Sequence, residues 1–339
     1  MKISNYEINL EKAAEEINKN GYKNVVMQFP EGLKSSATKV IDYLQEKTNA
    51  DFVVSADPCY GACDLGFAEF KKLGIDFIIQ IGHLPIPSIK NFGIPAMFVN
   101  AYFDFDVEKL SKKIMSFLKN KKIGLTSTSQ HVHLLKKVKQ YLEQNQFEVF
   151  IGKGDDRICF DGQILGCNFT AASSIADKVD MFLFIGSGNF HPMGLILSTK
   201  KSVIAVDPYT FGVKTDELSD LKDMILKQRY GAIASSKDAK VFGILVGLKE
   251  GQQRIELANQ LKKILTEKNK KAYIIVLNYF SPDFLQAFRD VDCFVSTACP
   301  RIAIDDYLQY KIPIITPIEL EILLGYKKWE DYHFDEIFG

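Results

Sequence analysis

Six cysteines, at positions 59, 63, 159, 167, 293 and 299, carry the most reactive side chains of the sequence. None forms a C-x2-C pair, so paired zinc knuckles, thioredoxin-type motifs and ferredoxin runs are absent. The short three-cysteine loop of barrel-type radical enzymes is missing too. Three of the cysteines instead sit in loops that follow apolar runs. Cys59 lies in the segment Ser55–Asp64 (SADPCYGACD), Cys167 in Asp161–Asn168 (DGQILGCN) and Cys299 in Ser296–Arg301 (STACPR). Glycine and proline in such loops fix turns and let backbone approach a ligand closely. Three thiolates from three loops could hold zinc, or an iron–sulfur cluster with one iron left without a protein ligand. An open metal position of that kind is what a reactive centre needs. The bland alternative is burial, since free cysteine behaves as a small hydrophobe. On that reading Cys293, inside the strand-like DCFV, belongs to the core. Cys159, in a strand-like run after Arg157 and Ile158, is core or edge. Cys63, four residues after Cys59, reads as filler and is left unassigned.

The elements that must position these loops repeat. Lys23–Phe29 (KNVVMQF), Lys122–Thr126 (KIGLT) and Lys240–Val246 (KVFGILV) are apolar runs, each followed by a polar turn and a stretch with apolar residues at helical spacing. Further strands follow in each unit. They read DFIIQIGH from Asp76, DMFLFIGSG from Asp180 and DCFVSTAC from Asp292, then PAMFVNAY from Pro95, SVIAVDPY from Ser202 and PIITP from Pro313. Strand, loop, helix, strand is the rhythm of parallel sheets flanked by helices. The expected fold class is α/β, with three similar small domains at 1–118, 119–232 and 233–339 in a pseudo-threefold arrangement around a central cluster. The segment Lys119–Lys122 marks one boundary and Arg229–Lys240 the next. One or two larger α/β domains with ordinary repetition is the alternative. Ligands of open parallel sheets bind beyond the carboxyl ends of strands, which is where the three cysteine loops fall.

Composition narrows the function classes. The chain has 339 residues, with 42 basic and 42 acidic side chains. That balance argues against direct nucleic-acid binding through a broad basic field. No apolar run approaches the roughly 18 residues of a membrane span, and the N-terminus MKISNYEINLEKAAEE lacks a secretory signal's apolar stretch. The expected location is the reducing cytoplasm, where cysteines stay as thiols or bind metal.

The loops ADPCYGACD (Ala56–Asp64), GQILGCN (Gly162–Cys167 with Asn168) and TACPRIAIDD (Thr297–Asp306), with the opening QFPEGL (Gln28–Leu33), resemble those of archaeal diphthamide-biosynthesis radical enzymes, the 2-(3-amino-3-carboxypropyl)histidine synthases. The resemblance covers roughly residues 20 to 325. It implies a 4Fe-4S cluster held by Cys59, Cys167 and Cys299, with S-adenosylmethionine as co-substrate on the fourth iron. It further implies cleavage to methylthioadenosine and a 3-amino-3-carboxypropyl radical, which alkylates a histidine of translation elongation factor 2. A homodimer and an external electron donor are implied as partners.

Other loop residues could contact S-adenosylmethionine. Arg301 could pair with the methionine carboxylate, or with Asp305 or Asp306. Gln163 could bond the cofactor or hold its own loop. Glu31 could bind an ammonium or ribose hydroxyl, or lie in a solvated turn. His83 and, at the corresponding place in the second unit, Ser187 and Gly188 end strands, and Gly61 lies in the Cys59 loop. His191, beside Pro192, reads as structural. His131 and His133 form an H-x-H pair with no acidic neighbour in sequence and are expected to face solvent. The acidic, aromatic tail Trp329–Asp335 is expected to pack on the body or on a second subunit. Two other functions remain open on the residues alone. One is a quinolinate-synthase-like iron–sulfur dehydratase acting on small metabolites. The other is a non-enzymatic three-lobed binding protein with cysteines as filler.

Overall fold

The computed structural model describes residues 1–3, 5–89, 93–118 and 121–339. Three parallel sheets carry the fold, and each lies inside one of the three expected stretches. The first is built from β1 (Asn24–Gln28), β2 (Asp51–Val54), β3 (Phe77–Ile81) and β4 (Ala96–Val99), in the order β2-β1-β3-β4. The second uses β5 (Lys122–Ser127), β6 (Glu148–Phe150), β7 (Met181–Ile185), β8 (Ser202–Val206) and β9 (Val213–Lys214). Its order is β6-β5-β7-β8-β9, with β9 antiparallel at the edge. The third uses β10 (Val241–Gly247), β11 (Lys271–Leu277), β12 (Cys293–Ser296) and β13 (Ile314–Ile315), ordered β11-β10-β12-β13. The order second-first-third-fourth thus recurs three times. A small antiparallel ribbon of Lys2–Ile3, Tyr6–Ile8 and Ala101–Tyr102 flanks the first sheet.

Central strands buried on both faces read as unbroken apolar runs, which explains β3 and β7, where every residue is buried. The helix after each first strand buries one stripe. It is Val40 and Leu44 in Ala37–Gln45, Leu135, Val138 and Leu142 in Leu135–Gln144, and Ala258, Leu261 and Leu265 in Ile255–Glu267. A further detail repeats. The aspartate before each third strand accepts backbone N–H groups at the start of the first: Asp76 from Lys23 and Asn24, Asp180 from Lys122, and Asp292 from Lys240 and Val241. Backbone donors at a strand's entrance need a partner, and each lobe supplies the same one.

The lobes are tied together. The helix Asp216–Ser235 places Arg229, fully buried, against Glu319 of the helix Pro317–Leu323 through Nε–Oε1 and Nη2–Oε2 bonds of 2.7 and 2.6 Å. Tyr332 and Phe334 of the tail join the core of the second lobe, where Phe334 meets Phe169 and Phe190 edge-on. Among the described residues no helix is long and apolar enough to cross a membrane.

Candidate metal and cofactor site

The carboxyl ends of the three sheets lead into loops that enclose one cavity of about 210 Å³. Its wall contains Cys63 from the first lobe, Cys167 from the second and Cys299 from the third. Apolar side chains including Ile86, Ile164 and Leu165 line much of the rest, beside polar ones such as Thr128 and Gln252. Larger surface hollows of about 700 and 770 Å³ exist elsewhere and contain none of the cysteines.

Each loop is held by specific bonds. Gln28 and Gln80, register partners at the ends of β1 and β3, donate to the carbonyls of Asp64 and Gly61 at 3.2 and 3.4 Å. The Asp64 carboxylate accepts the Tyr60 N–H and pairs with Lys249 of the third lobe. Cys63 is therefore turned to the seam between lobes. Gln252 Nε2 lies 3.4 Å from its sulfur. Gly251 comes so close that a Cβ there would stand 2.3 Å from Cys63 Cβ. Only a residue without a side chain fits this approach.

Cys167 sits in a tight turn in which Leu165 and Asn168 exchange backbone bonds, and its carbonyl accepts the Ile337 N–H at 2.8 Å. Asn168 Nδ2 and the Phe169 N–H bind the tail at Ile337 O and Glu336 Oε2. The same tail reaches the third lobe, where Asp335 pairs with Arg254, and Arg254 donates to Thr297 O just before Cys299. The tail thus straps the Cys167 and Cys299 loops together.

Burial raises the pKa of every thiol in the ring. Cys167 is pushed up to about 11, with Arg157 pulling the other way. Cys299 is pushed further up, and neighbouring Cys167 and Cys63 add to the shift. Cys63 is raised by burial against the Gln252 hydrogen bond. Such thiols are poor free nucleophiles, and a bound cation is what converts them to thiolates. Among the described residues no three His, Cys, Asp or Glu side chains gather closely enough to hold a single ion. The three thiols instead line one cavity. An apolar wall, three thiols from three lobes and the backbone approach at Gly251 all fit a cluster.

The sequence expectation put Cys59 in the ring and left Cys63 unassigned. The geometry brings Cys63 to the cavity instead. Cys59 is 2% exposed, is pushed up to about 12 by burial, and lies 4.0 Å from His83 Nδ1 behind the lining. Of the other candidates, Arg301, Gln163, Gly61 and His83 do line the cavity, as does His191. Gln163 spends its carbonyl oxygen on the N–H groups of Cys159 and Phe160, each at 3.1 Å, so it holds its loop. Arg301 pairs with Asp305 at 3.0 Å and lies over the Phe190 ring. Burial lowers His83 and His191 to about 4, so both are neutral imidazoles near pH 7.

Glu31, Ser187 and Gly188 are not part of the lining. Glu31 forms an ion pair with Lys34 in an exposed turn, and Ser187 and Gly188 are exposed. Cys159 lies in a turn rather than a strand, its thiol on the Pro85 carbonyl, whereas Cys293 is buried within β12 as expected. The expectation that the H-x-H pair faces solvent holds for His133, which is exposed, and is corrected for His131. His131 is 2% exposed among Phe103, Phe105 and Tyr209, and His133 pairs with Asp104, a partner 29 residues away in sequence. Sequence reasoning missed Arg157, Gly251 and Gln252; the tail packs on the body as expected, but its hold on the cysteine loops was not foreseen, because those contacts, like those of Gly251 and Gln252, reach loops far away in the chain.

Comparison with known proteins gives the lineage. Residues 29–333 match the family described as "Putative diphthamide synthesis protein". The 2-(3-amino-3-carboxypropyl)histidine synthase of Pyrococcus horikoshii is 38% identical, over 98% of this chain and 94% of its own length. The enzyme of the same name from Methanocaldococcus jannaschii is 33% identical, over 95% of this chain and 90% of its own. The crystal structure of Dph2 from Pyrococcus horikoshii with a 4Fe-4S cluster superposes with a TM-score of 0.89 at 37% identity, covering 98% of this chain and 94% of that one. With the same lobes and a matched length that takes in all three cysteine loops, this chain belongs to the diphthamide synthesis family.

Proposed function

We propose that the chain is a 2-(3-amino-3-carboxypropyl)histidine synthase whose Cys63, Cys167 and Cys299 hold a 4Fe-4S cluster, with Cys63 taking the place first expected for Cys59. The observation that carries this is the convergence of one thiol from each lobe on a single apolar cavity. When bound, the cluster supplies the electron that cleaves S-adenosylmethionine to methylthioadenosine and a 3-amino-3-carboxypropyl radical. The division at 118/119 and 232/233 belongs to the same proposal, each lobe giving one ligand.

The side chains around the thiols have distinct tasks. Arg301, 54% exposed and lying over the Phe190 ring, offers a guanidinium to a carboxylate in the cavity. His83 and His191, neutral because buried, add no positive charge that would repel a sulfonium. Gln28, Gln80 and Gln163 keep the loops still, so that a bound co-substrate meets a fixed wall. The apolar lining keeps water from a reactive intermediate. The acceptor is a histidine of translation elongation factor 2, the protein works as a homodimer in the cytoplasm, and an outside donor supplies electrons.

The test is anaerobic reconstitution with iron and sulfide, reduction, addition of S-adenosylmethionine and identification of the nucleoside. Methylthioadenosine is expected from the native protein and from Cys59→Ala. It should be lost in Cys63→Ala, Cys167→Ala and Cys299→Ala. Formation of 5′-deoxyadenosine would refute the chemistry, and loss in Cys59→Ala with retention in Cys63→Ala would refute the ligand assignment.

A further inference from the structure

Four cationic side chains surround the cysteine ring: Arg157, Lys249, Arg254 and Arg301. Three have a carboxylate partner, namely Asp64 for Lys249, Asp335 for Arg254 and Asp305 for Arg301. Arg157 is different. It is 4% exposed, and among the described residues no carboxylate lies within ion-pair distance of it. Its Nη2 donates to the Gly251 carbonyl at 3.1 Å and stands 3.9 Å from the Cys167 sulfur. Its Nε, also buried, has no partner at all. Its charge acts on Cys63 as well as on Cys167.

A guanidinium does not lose its proton in a protein, so Arg157 cannot escape its burial by becoming neutral. An uncompensated buried charge is strongly destabilising. A chain that keeps one here needs negative charge beside it, and the Cys167 sulfur, 3.9 Å from Nη2, can supply it as a thiolate. Resting on the cluster reading above, we propose that Arg157 is the built-in counter-charge of the thiolate ring, and that it makes a bound cluster easier to reduce. The physical ground is simple. Reduction adds one negative charge, a fixed cation nearby favours that state, and net charge together with hydrogen bonds to the sulfurs are among the factors that set cluster potentials. Arg157 touches the ring rather than the reacting atoms, so its role is positioning and electrostatic.

The experiment compares native protein, Arg157→Met and Arg157→Lys, each reconstituted anaerobically. Iron and sulfide content, folding by circular dichroism, and the midpoint potential by an EPR-monitored titration are read. Arg157→Met is expected to reduce about tenfold less favourably, a one-electron shift of about 59 mV to more negative potential. Arg157→Lys should recover most of that shift. A Met variant that takes up no cluster, beside a Lys variant that takes one up at near-native potential, also supports the proposal. An unchanged or higher potential in Arg157→Met overturns it. So do equal losses in folded Met and Lys variants, which would leave the Gly251 contact as the residue's purpose. Native protein that binds no iron and sulfide refutes the cluster reading itself, and this proposal falls with it.

Discussion

Replacing Gly251 by alanine tests the geometry of the site with a single methyl group. The new Cβ would lie 2.3 Å from Cys63 Cβ, 2.7 Å from Cys63 Cα and 2.8 Å from Ile89 Cδ1. Carbon atoms in contact prefer about 3.5–4.0 Å. The third-lobe loop and the Cys63 loop must therefore part by more than about 1 Å, and two of the three obstacles are not flexible side-chain tips. Overpacking of this kind costs about 1–3 kcal/mol, which a chain of this size can survive. The larger effect falls on the site. The same movement stretches the bond between Arg157 and the Gly251 carbonyl and the one between Gln252 and the Cys63 sulfur, now 3.1 and 3.4 Å. A displacement of about 1 Å in a catalytic constellation can lower rate by about 100-fold. Gly251→Ala is therefore expected to fold, to hold less iron, and to form methylthioadenosine about 100-fold more slowly. Gly231→Ala is the control, because it lies inside the helix Asp216–Ser235 with nothing within 4 Å of a new Cβ. It should gain about 0.5–1 kcal/mol of stability and keep full activity. Native iron content and rate in Gly251→Ala would show that the Cys63 loop is not pinned between the lobes, and the site assignment would lose its main geometric support.

Two further perturbations probe the scaffold. Arg229→Met leaves Glu319 buried without its partner and is expected to cost about 3–5 kcal/mol, while the double variant Arg229→Met with Glu319→Leu should recover part of it. Urea unfolding followed by Trp329 fluorescence, the single tryptophan of the chain, reads both, and a double variant no better than the single one would contradict the argument. Acid sensitivity is expected from His131, whose burial lowers its pKa from 6.5 to about 4. The unfolded chain binds a proton that the folded chain refuses, so stability falls as pH drops from 6.5 towards 4, by up to about 3 kcal/mol, and levels off below. His83 and His191, lowered likewise, add to the fall, so His131→Phe should lessen the slope without abolishing it, and an unchanged slope would show that His131 does not contribute.

Much of this architecture is written locally in the chain. Strands such as FIIQI and MFLFI can be read because a strand buried on both faces needs an unbroken apolar run. The Cys299 loop is legible because it directly follows such a run, Cys293–Ser296. Which thiol of the pair Cys59 and Cys63 enters the cavity is not legible. Both sit in one irregular loop with no periodicity, and the choice is made by Gln28, Gln80, Lys249 and Gly251 from elsewhere. The burial of His131 is not legible for a related reason, because its surroundings come from Phe103 and Tyr209, far away in sequence. Ser187 and Gly188 correspond to His83 in the repeat, but the loop after β7 ends in solvent where the loop after β3 turns inward.

The strap formed by the tail has a consequence for the order in which the molecule is made. Cys167 is fixed by residues 169 or so positions later, since Asn168 bonds the carbonyl of Ile337. Cys63 meets Gln252 across 189 positions. Contacts so distant in sequence close late and slowly. A growing chain can complete the first sheet, and then the second, while the sulfur ring is still open. All three thiols exist once residue 299 has been added, but the clamp on the Cys167 loop waits for residues 335 to 337. A chain halted shortly before the tail would therefore carry all three thiols and still lack the frame that holds their loops in register.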